Sequence, residues 1–293
     1  LDLTDLLSLA GKDLPPVLMY FHENQLSYPL APTQRRDFHL GFTNIISAFA
    51  ADRVLFNSKF HLNDFMESAS RLIKQMPDFK PGWMIRQIRE KAEVVYPGCQ
   101  FATGLMNLKK NNIIKPLIIW NHRWEYDKNP EAFFDALDAL KEKNISFSLA
   151  LLGEKYDIFP DIFKQAKEKF KDEILVYGYV ESRNEYETWL KKGAIVVSCA
   201  IQENFGISIV EAVRSGCIPL LPDRLSYPEI MPGPLHSKVL YQTAQDFLKK
   251  LEDMLVNYKD YLPLQKQLSS DMEHFSWETL VKQYDSILED FLL

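Results

Sequence analysis

Two short segments combine charged side chains with a backbone pattern suited to anion chemistry. The first is Glu203-Asn204-Phe205-Gly206-Ile207-Ser208-Ile209-Val210-Glu211, which follows an apolar run ending at Cys199. The pattern predicts a buried strand, a loop and a helix beginning near Gly206. Ligands of open α/β sheets bind at such carboxyl ends of strands. The unpaired N–H groups of a helix start, with the helix dipole, favour an anion there. Gly206 lets the backbone approach a phosphate closely, so Asn204, Phe205, Gly206 and Ile207 form the stretch expected nearest an anionic ligand. Glu211, between one and two turns into the helix, is placed to accept hydrogen bonds from ribose hydroxyls, and Glu203 from sugar hydroxyls. The second segment, Trp120-Asn121-His122-Arg123-Trp124-Glu125-Tyr126-Asp127-Lys128-Asn129-Pro130, also follows a strand and precedes a helix. Arg123 and Lys128 therefore reach the same cleft from a neighbouring strand end. Two cations neutralise a nucleoside diphosphate leaving group without a metal. Taken singly, each of these charged residues would be ordinary solvated surface; two strand-to-helix loops with complementary charge argue for a site.

The surrounding pattern supplies the scaffold. Strands are expected at Pro116–Trp120, Ser146–Leu152, Ile174–Tyr177, Ala194–Cys199 and Cys217–Leu221, alternating with helices at Pro130–Lys143, Asp161–Phe170, Arg183–Lys192 and Ile207–Ser215. Gly216 is a suitable stop for the last of these. The alternation predicts a doubly wound α/β domain with parallel strands. The first half shows three apolar runs, Val17–Phe21, Arg53–Phe56 and Ala92–Tyr96, with helices at Phe42–Ala51 and Leu62–Lys74. A full Rossmann-like domain has about six strands, so the first domain is expected to be incomplete, with strands preceding Leu1. The polar stretch Gln100–Lys115 reads as a linker. The expected domains are 1–112, 113–275 and a terminal helix, 276–293.

Composition narrows the function classes. With 293 residues, 46% hydrophobic and 25% charged, the chain is an ordinary globular protein. A net charge of -6 excludes a polycation, so any nucleic-acid contact must be local. Cys99, Cys199 and Cys217 have neither paired nor zinc-ligand spacing and read as reduced thiols of a cytoplasmic protein. No apolar run approaches the ~20 residues of a membrane span. No metal site, no cofactor and no obligate protein partner are expected.

The two charged segments resemble the GT-B retaining glycosyltransferases with an E-x7-E motif. Arg123 and Lys128 keep that group's five-residue offset, and Glu203 and Glu211 its eight-residue offset. His122 stands where the group has its first glycine, and Asn204 where it has another, which leaves the contact made by residue 204 open. The resemblance covers about Ile114 to the end. It implies two Rossmann-like domains facing a cleft, with a final helix after Phe275-Ser276-Trp277 that crosses back to the first. Ser276 also reads as that helix's N-cap, packed by Trp277.

The whole chain resembles the narrower family of queuosine-tRNA mannosyltransferases at Tyr20–Pro29, Ala51–Ser58, His122–Lys128 and Tyr227–Ile230. That resemblance implies mannose transfer from GDP-mannose to queuosine in a tRNA, and a glycine-rich loop in an N-terminal segment preceding this chain. It implies that His22 faces the acceptor or the transferred sugar, with Glu23 as an orienting acid, and that Tyr179 and Val180 border the guanine. Arg35, Arg36, Arg53 and Lys59 are the basic residues nearest the acceptor-side motifs. The rival readings are transfer to a glycan or lipid, a nucleotide-sugar epimerase, and a silent nucleotide-sugar-binding module. His39 and His61 lack metal-ligand spacing, and Cys199 and Cys217 read as packing residues.

Overall fold

Short runs of Val, Ile, Leu and Phe with no polar alternation form strands buried on both faces, as parallel strands covered by helices must be. The computed structural model describes residues 2–11, 14–30, 35–101, 115–153 and 160–292. The chain divides into two units, Leu1–Gly98 with Leu280–Leu293, and Cys99–Thr279. Of the stretch read as a linker, residues 102–114 lie outside the described residues.

The first unit runs α1 (Leu3–Ala10), β1 (Leu18–Phe21), α2 (Phe38–Ala50), β2 (Arg53–Phe56), α3 (Lys59–Gln75), α4 (Trp83–Glu90) and β3 (Ala92–Val94). Its three strands are parallel in the order β1-β2-β3, with Phe21 opposite Phe56. Those two rings stack at 5.2 Å and both pack on Phe65 of α3, each such pair adding about 0.5–1.5 kcal/mol beyond burial. Helices α2 and α3 begin earlier than the apolar periodicity suggests, because Asp37 and Ser58 cap them by accepting from the amides of His39 and His61. Strand β3 is shorter than expected: Val95 still donates to the Phe56 carbonyl at 2.9 Å, but Pro97 has no N–H to extend the ladder.

The second unit runs β4 (Leu117–Trp120), a 3₁₀ turn (Tyr126–Lys128), α5 (Pro130–Glu142), β5 (Ser148–Leu152), α6 (Ile162–Lys169), β6 (Ile174–Gly178), α7 (Arg183–Lys192), β7 (Ile195–Val197), α8 (Ile207–Arg214) and β8 (Ile218–Pro222). It continues with α9 (Tyr227–Ile230), α10 (His236–Val239), β9 (Leu240–Tyr241), α11 (Ala244–Val256), α12 (Tyr258–Asp271) and the start of α13 (Trp277–Leu292). The sheet is parallel throughout, in the order β6-β5-β4-β7-β8-β9. The chain thus winds outward from β4 to β6, returns to lie beside β4 as β7, and winds outward the other way. Strand β7 is shorter than the run Ala194–Cys199 because Ser198 turns the chain: its hydroxyl meets the Tyr227 hydroxyl at 2.6 Å and accepts from the Ala200 amide.

Ser276 caps α13 through the Thr279 amide. Trp277, expected to pack that turn, is 46% exposed, and Phe275 packs instead, edge-on to Phe205 at 5.1 Å. From Leu280 onward α13 belongs with the first unit. There Ile287 is buried with Leu55 and Val95, Tyr284 donates to the Tyr96 carbonyl at 2.9 Å, and Arg53 donates to the Ile287 carbonyl at 3.2 Å.

Gly153, at the end of β5, allows the loop after β4 to cross it. A Cβ there would lie 2.1 Å from the His122 carbonyl oxygen and 2.9 Å from the Trp124 ring. Trp124 in turn stacks on Phe163 at 4.3 Å, so the loop has no room to retreat. Gly153→Ala is expected to destabilise the protein by about 1–3 kcal/mol, read as a lower midpoint in chemical denaturation. An unchanged midpoint would show that this contact does not fix the loop.

Candidate active site

The strand order reverses direction between β4 and β7, the kind of switch point beside which open α/β sheets hold ligands in a crevice. One loop is Asn121–Lys128 and the other Ser198–Gly206. They are laced together by backbone: the amides of Ile201 and Gln202 both point to the Asp127 carbonyl, at 2.7 and 3.4 Å.

Lys128 is the centre of this junction. Its side chain is only 10% exposed. The ammonium lies 2.9 Å from Asp127 Oδ2, 2.9 Å from the Gln202 carbonyl oxygen and 3.5 Å from Glu203 Oε2. Burial works against its charge, but Glu203 and Asp127 outweigh that and hold its pKa above the ordinary lysine value. It is therefore a permanent cation. His122, wholly buried beside it, is pushed down to about 3 by burial, with the Lys128 charge adding to the fall. It is neutral and adds no second positive charge; its Nε2 meets the Val197 carbonyl at 3.3 Å.

Arg123 differs: its side chain is 44% exposed and pairs with Glu125 at 3.5 Å. Burial pushes the Glu125 carboxyl up, Arg123 opposes this, and the neighbouring Asp127 adds to the rise. A partly exposed ion pair of this kind is worth only about 0–1 kcal/mol.

On the other side of the crevice, Gly206 occupies the N-cap of α8 with φ 100° and ψ 49°. A Cβ there would make only ordinary contacts, the nearest at 3.5 Å, so the left-handed backbone is what calls for glycine. The Ser226 hydroxyl braces this turn through the carbonyls of Glu203 and Phe205, at 3.3 and 2.9 Å. Phe205 is buried against Phe275, so a ligand can meet this position only through its backbone. Asn204 is also buried, its Oδ1 accepting from Gln202 at 3.0 Å. Ile207 is exposed at the helix start.

Glu211 is held by residues that local spacing could not single out. Its Oε2 accepts from the Tyr186 hydroxyl at 3.2 Å and its Oε1 pairs with Arg183 at 2.8 Å. Asn121, at the end of β4, donates both to that tyrosine oxygen at 3.0 Å and to the Ser208 carbonyl at 2.8 Å. Asn121, Tyr186 and Glu211 thus form a polar chain from β4 across α7 to α8. A helical polar stretch at Arg183–Lys192 was legible, but not which of its residues faced the site.

Tyr179 and Val180 follow Gly178 at the carboxyl end of β6, two strands from β4; Tyr179 is 65% exposed and Val180 half-buried. In the first unit His22 is exposed at the end of β1, its ring 4.7 Å from that of Tyr20. Its carbonyl accepts from Asn57 at 2.9 Å, and Asn57 Oδ1 meets the buried His61 at 2.8 Å, joining the ends of β1 and β2. Burial pushes His61 down to about 3. Arg53, one of the basic residues nearest the acceptor-side motifs, pairs with Glu93 at 2.8 Å. All three cysteines are buried free thiols. Among the described residues, no three His, Cys, Asp or Glu side chains gather as a metal-ligand set, and no helix is long and apolar enough to cross a membrane.

A parallel sheet with this switch point, its Arg–Lys loop and its paired glutamates belongs to the GT-B glycosyltransferases, and residues 107–270 match the family Glycosyl transferases group 1. The fold is shared with sucrose-phosphate synthase from Thermosynechococcus elongatus, at TM-score 0.71 and 16% identity over 93% of this chain and 67% of that one. It is shared also with the Anabaena protein HepE, solved with UDP and glucose, at TM-score 0.68 and 15% identity over 94% of this chain and 71% of that one. Residues 1–99 match the N-terminal domain family of tRNA-queuosine alpha-mannosyltransferase. The Drosophila melanogaster tRNA-queuosine alpha-mannosyltransferase is 35% identical over 277 residues, 91% of this chain and 72% of the relative. This chain belongs to the tRNA-queuosine alpha-mannosyltransferase family and is a glycosyltransferase with a nucleotide-sugar donor.

Two sets of variants test the site. Arg123→Ala and Lys128→Ala are each expected to lower kcat/KM for the donor by roughly tenfold or more, since a charge-assisted contact is worth about 1.5–3 kcal/mol. Unchanged kinetics in both would remove the diphosphate role. Tyr186→Phe, which removes one hydroxyl from the chain to Glu211, is expected to raise the donor KM several-fold while kcat changes less. A loss confined to kcat would place Tyr186 elsewhere in the reaction.

Proposed function

We propose that this chain transfers mannose from GDP-mannose to queuosine in a tRNA, with retention at the sugar carbon. The observation that carries the reading is the buried, permanently charged Lys128 at the switch point, beside Glu203 and the start of α8. A nucleoside diphosphate leaves as an anion, and a fixed cation in a dry site stabilises that charge without reorganisation.

In this reading Arg123, Lys128 and the amides after Gly206 hold the diphosphate. Glu211 accepts from the ribose hydroxyls, and Glu203 from hydroxyls of the transferred sugar. Tyr179 and Val180 border the base, and His22 faces the acceptor. A queuosine hydroxyl bonds to the sugar carbon on the face from which GDP departs; the carbon–oxygen bond to the phosphate breaks, and the departing phosphate oxygen takes the hydroxyl proton. No carboxylate nucleophile is needed, unlike glycosidases with paired acids. An unpaired loop nucleoside carrying a cyclopentene diol can project into a cleft, whereas a duplex base cannot. The reading places the enzyme in the cytoplasm with its tRNA.

Incubation with GDP-mannose and queuosine-containing tRNA, followed by mass spectrometry of the nucleosides, is expected to show queuosine with an added hexose. Transfer to a glycan or lipid with queuosine unmodified would replace the acceptor and leave a glycosyltransferase. Release of an altered free sugar would indicate an epimerase. Activity is expected to survive EDTA, because Arg123 and Lys128 meet the diphosphate charge. Loss on chelation with recovery in Mg²⁺ or Mn²⁺ would refute this.

A further inference from the structure

We infer that a cavity beside the loop following β1 binds one unpaired nucleotide of the RNA chain, distinct from the nucleoside that receives the sugar. This inference rests on the tRNA-acceptor reading above. The cavity holds about 480 Å³ and is walled by that loop, the start of α2 and one flank of α3. Its size falls in the ~300–1,000 Å³ range of small-ligand clefts.

Its lining combines the three chemistries a nucleotide presents. Arg36 and Arg71 supply positive charge, and neither forms an ion pair among the described residues. Arg36 donates to the carbonyls of Gln25, Leu26 and Tyr28, which fixes the wall. Arg71 is exposed and spends one donor on the Ser68 hydroxyl at 2.8 Å, leaving the rest of its fork for a phosphate. Phe38, 57% exposed at the start of α2, offers a ring for a base to stack on.

The two carboxylates of the lining are not engaged by these arginines. Asp37 caps α2 through the His39 amide at 2.9 Å, and Asp64 accepts from Ser27 and, at 3.4 Å, from Asn24. Asp64 keeps acceptor capacity for a base amino group. A simple anion would leave Phe38 and the carboxylates without a role. A nucleotide uses all three features, and the cavity's wall is the same loop that begins at His22.

The test measures binding of an anticodon stem-loop RNA to the full chain over a salt series. Arg71→Ala is expected to weaken binding roughly tenfold at low salt and to lower the log–log salt slope by about one. Phe38→Ala is expected to weaken it roughly tenfold with the slope retained, because stacking is not ionic. Arg71→Lys should keep the slope, and all three should bind GDP as the unaltered chain does. If the unaltered chain modifies tRNA while Arg71→Ala and Phe38→Ala bind the stem-loop normally, this inference fails and the acceptor reading stands. A fully duplex RNA that binds as well as the stem-loop, or a free mononucleotide that competes at equal concentration, also overturns it. If the unaltered chain neither binds nor modifies tRNA, the acceptor reading itself fails.

Discussion

An ammonium group taken out of water is expensive, and the second unit is organised around keeping one there. Removing the hydration of a Lys side chain costs several kcal/mol unless oxygen partners replace it. For Lys128 the replacements are Asp127 from its own loop, and Glu203 and the Gln202 carbonyl from the loop after β7. Neither loop holds the charge alone. The pairing therefore depends on β4 lying beside β7, on the Ile201 amide reaching the Asp127 carbonyl, and on Gly153 giving the first loop room to cross β5.

That arrangement divides the positive charge of the crevice into two kinds. Lys128 is desolvated and fixed by its partners. Arg123 is partly exposed and pairs with Glu125. The buried His122 next to Lys128 stays neutral chiefly because burial disfavours its charge, with the Lys128 ammonium adding to the effect, whereas Lys128 stays charged because Glu203 and Asp127 face it. One site accommodates one buried cation, and the carboxylates are placed to favour the lysine.

In the first unit, side-chain amides link the strand ends. Asn57 ties the His22 carbonyl to the buried His61, and Asn24 organises the following turn by accepting from the amides of Leu26 and Ser27. Arg36 and Arg71 line a cavity beside the loop that begins at the end of β1.

Much of the site was legible in the chain itself. The offsets from Arg123 to Lys128 and from Glu203 to Glu211 are local, and each segment's strand–loop–helix context follows from apolar runs and from Gly206. Helix starts were less legible, since α2 and α3 begin at polar caps ahead of the first apolar position. Trp277 looked like a packing residue from its size alone, yet the burial falls to Phe275. Tyr186 was not singled out, and Asn121 was named only as part of its segment, because the two meet across 65 positions of sequence. Whether Lys128 touches Glu203 or Asn121 touches Tyr186 depends on strand order. No single residue encodes that order; it emerges from the packing of all six strands and their covering helices, a sum of many long-range contacts that only the folded chain evaluates.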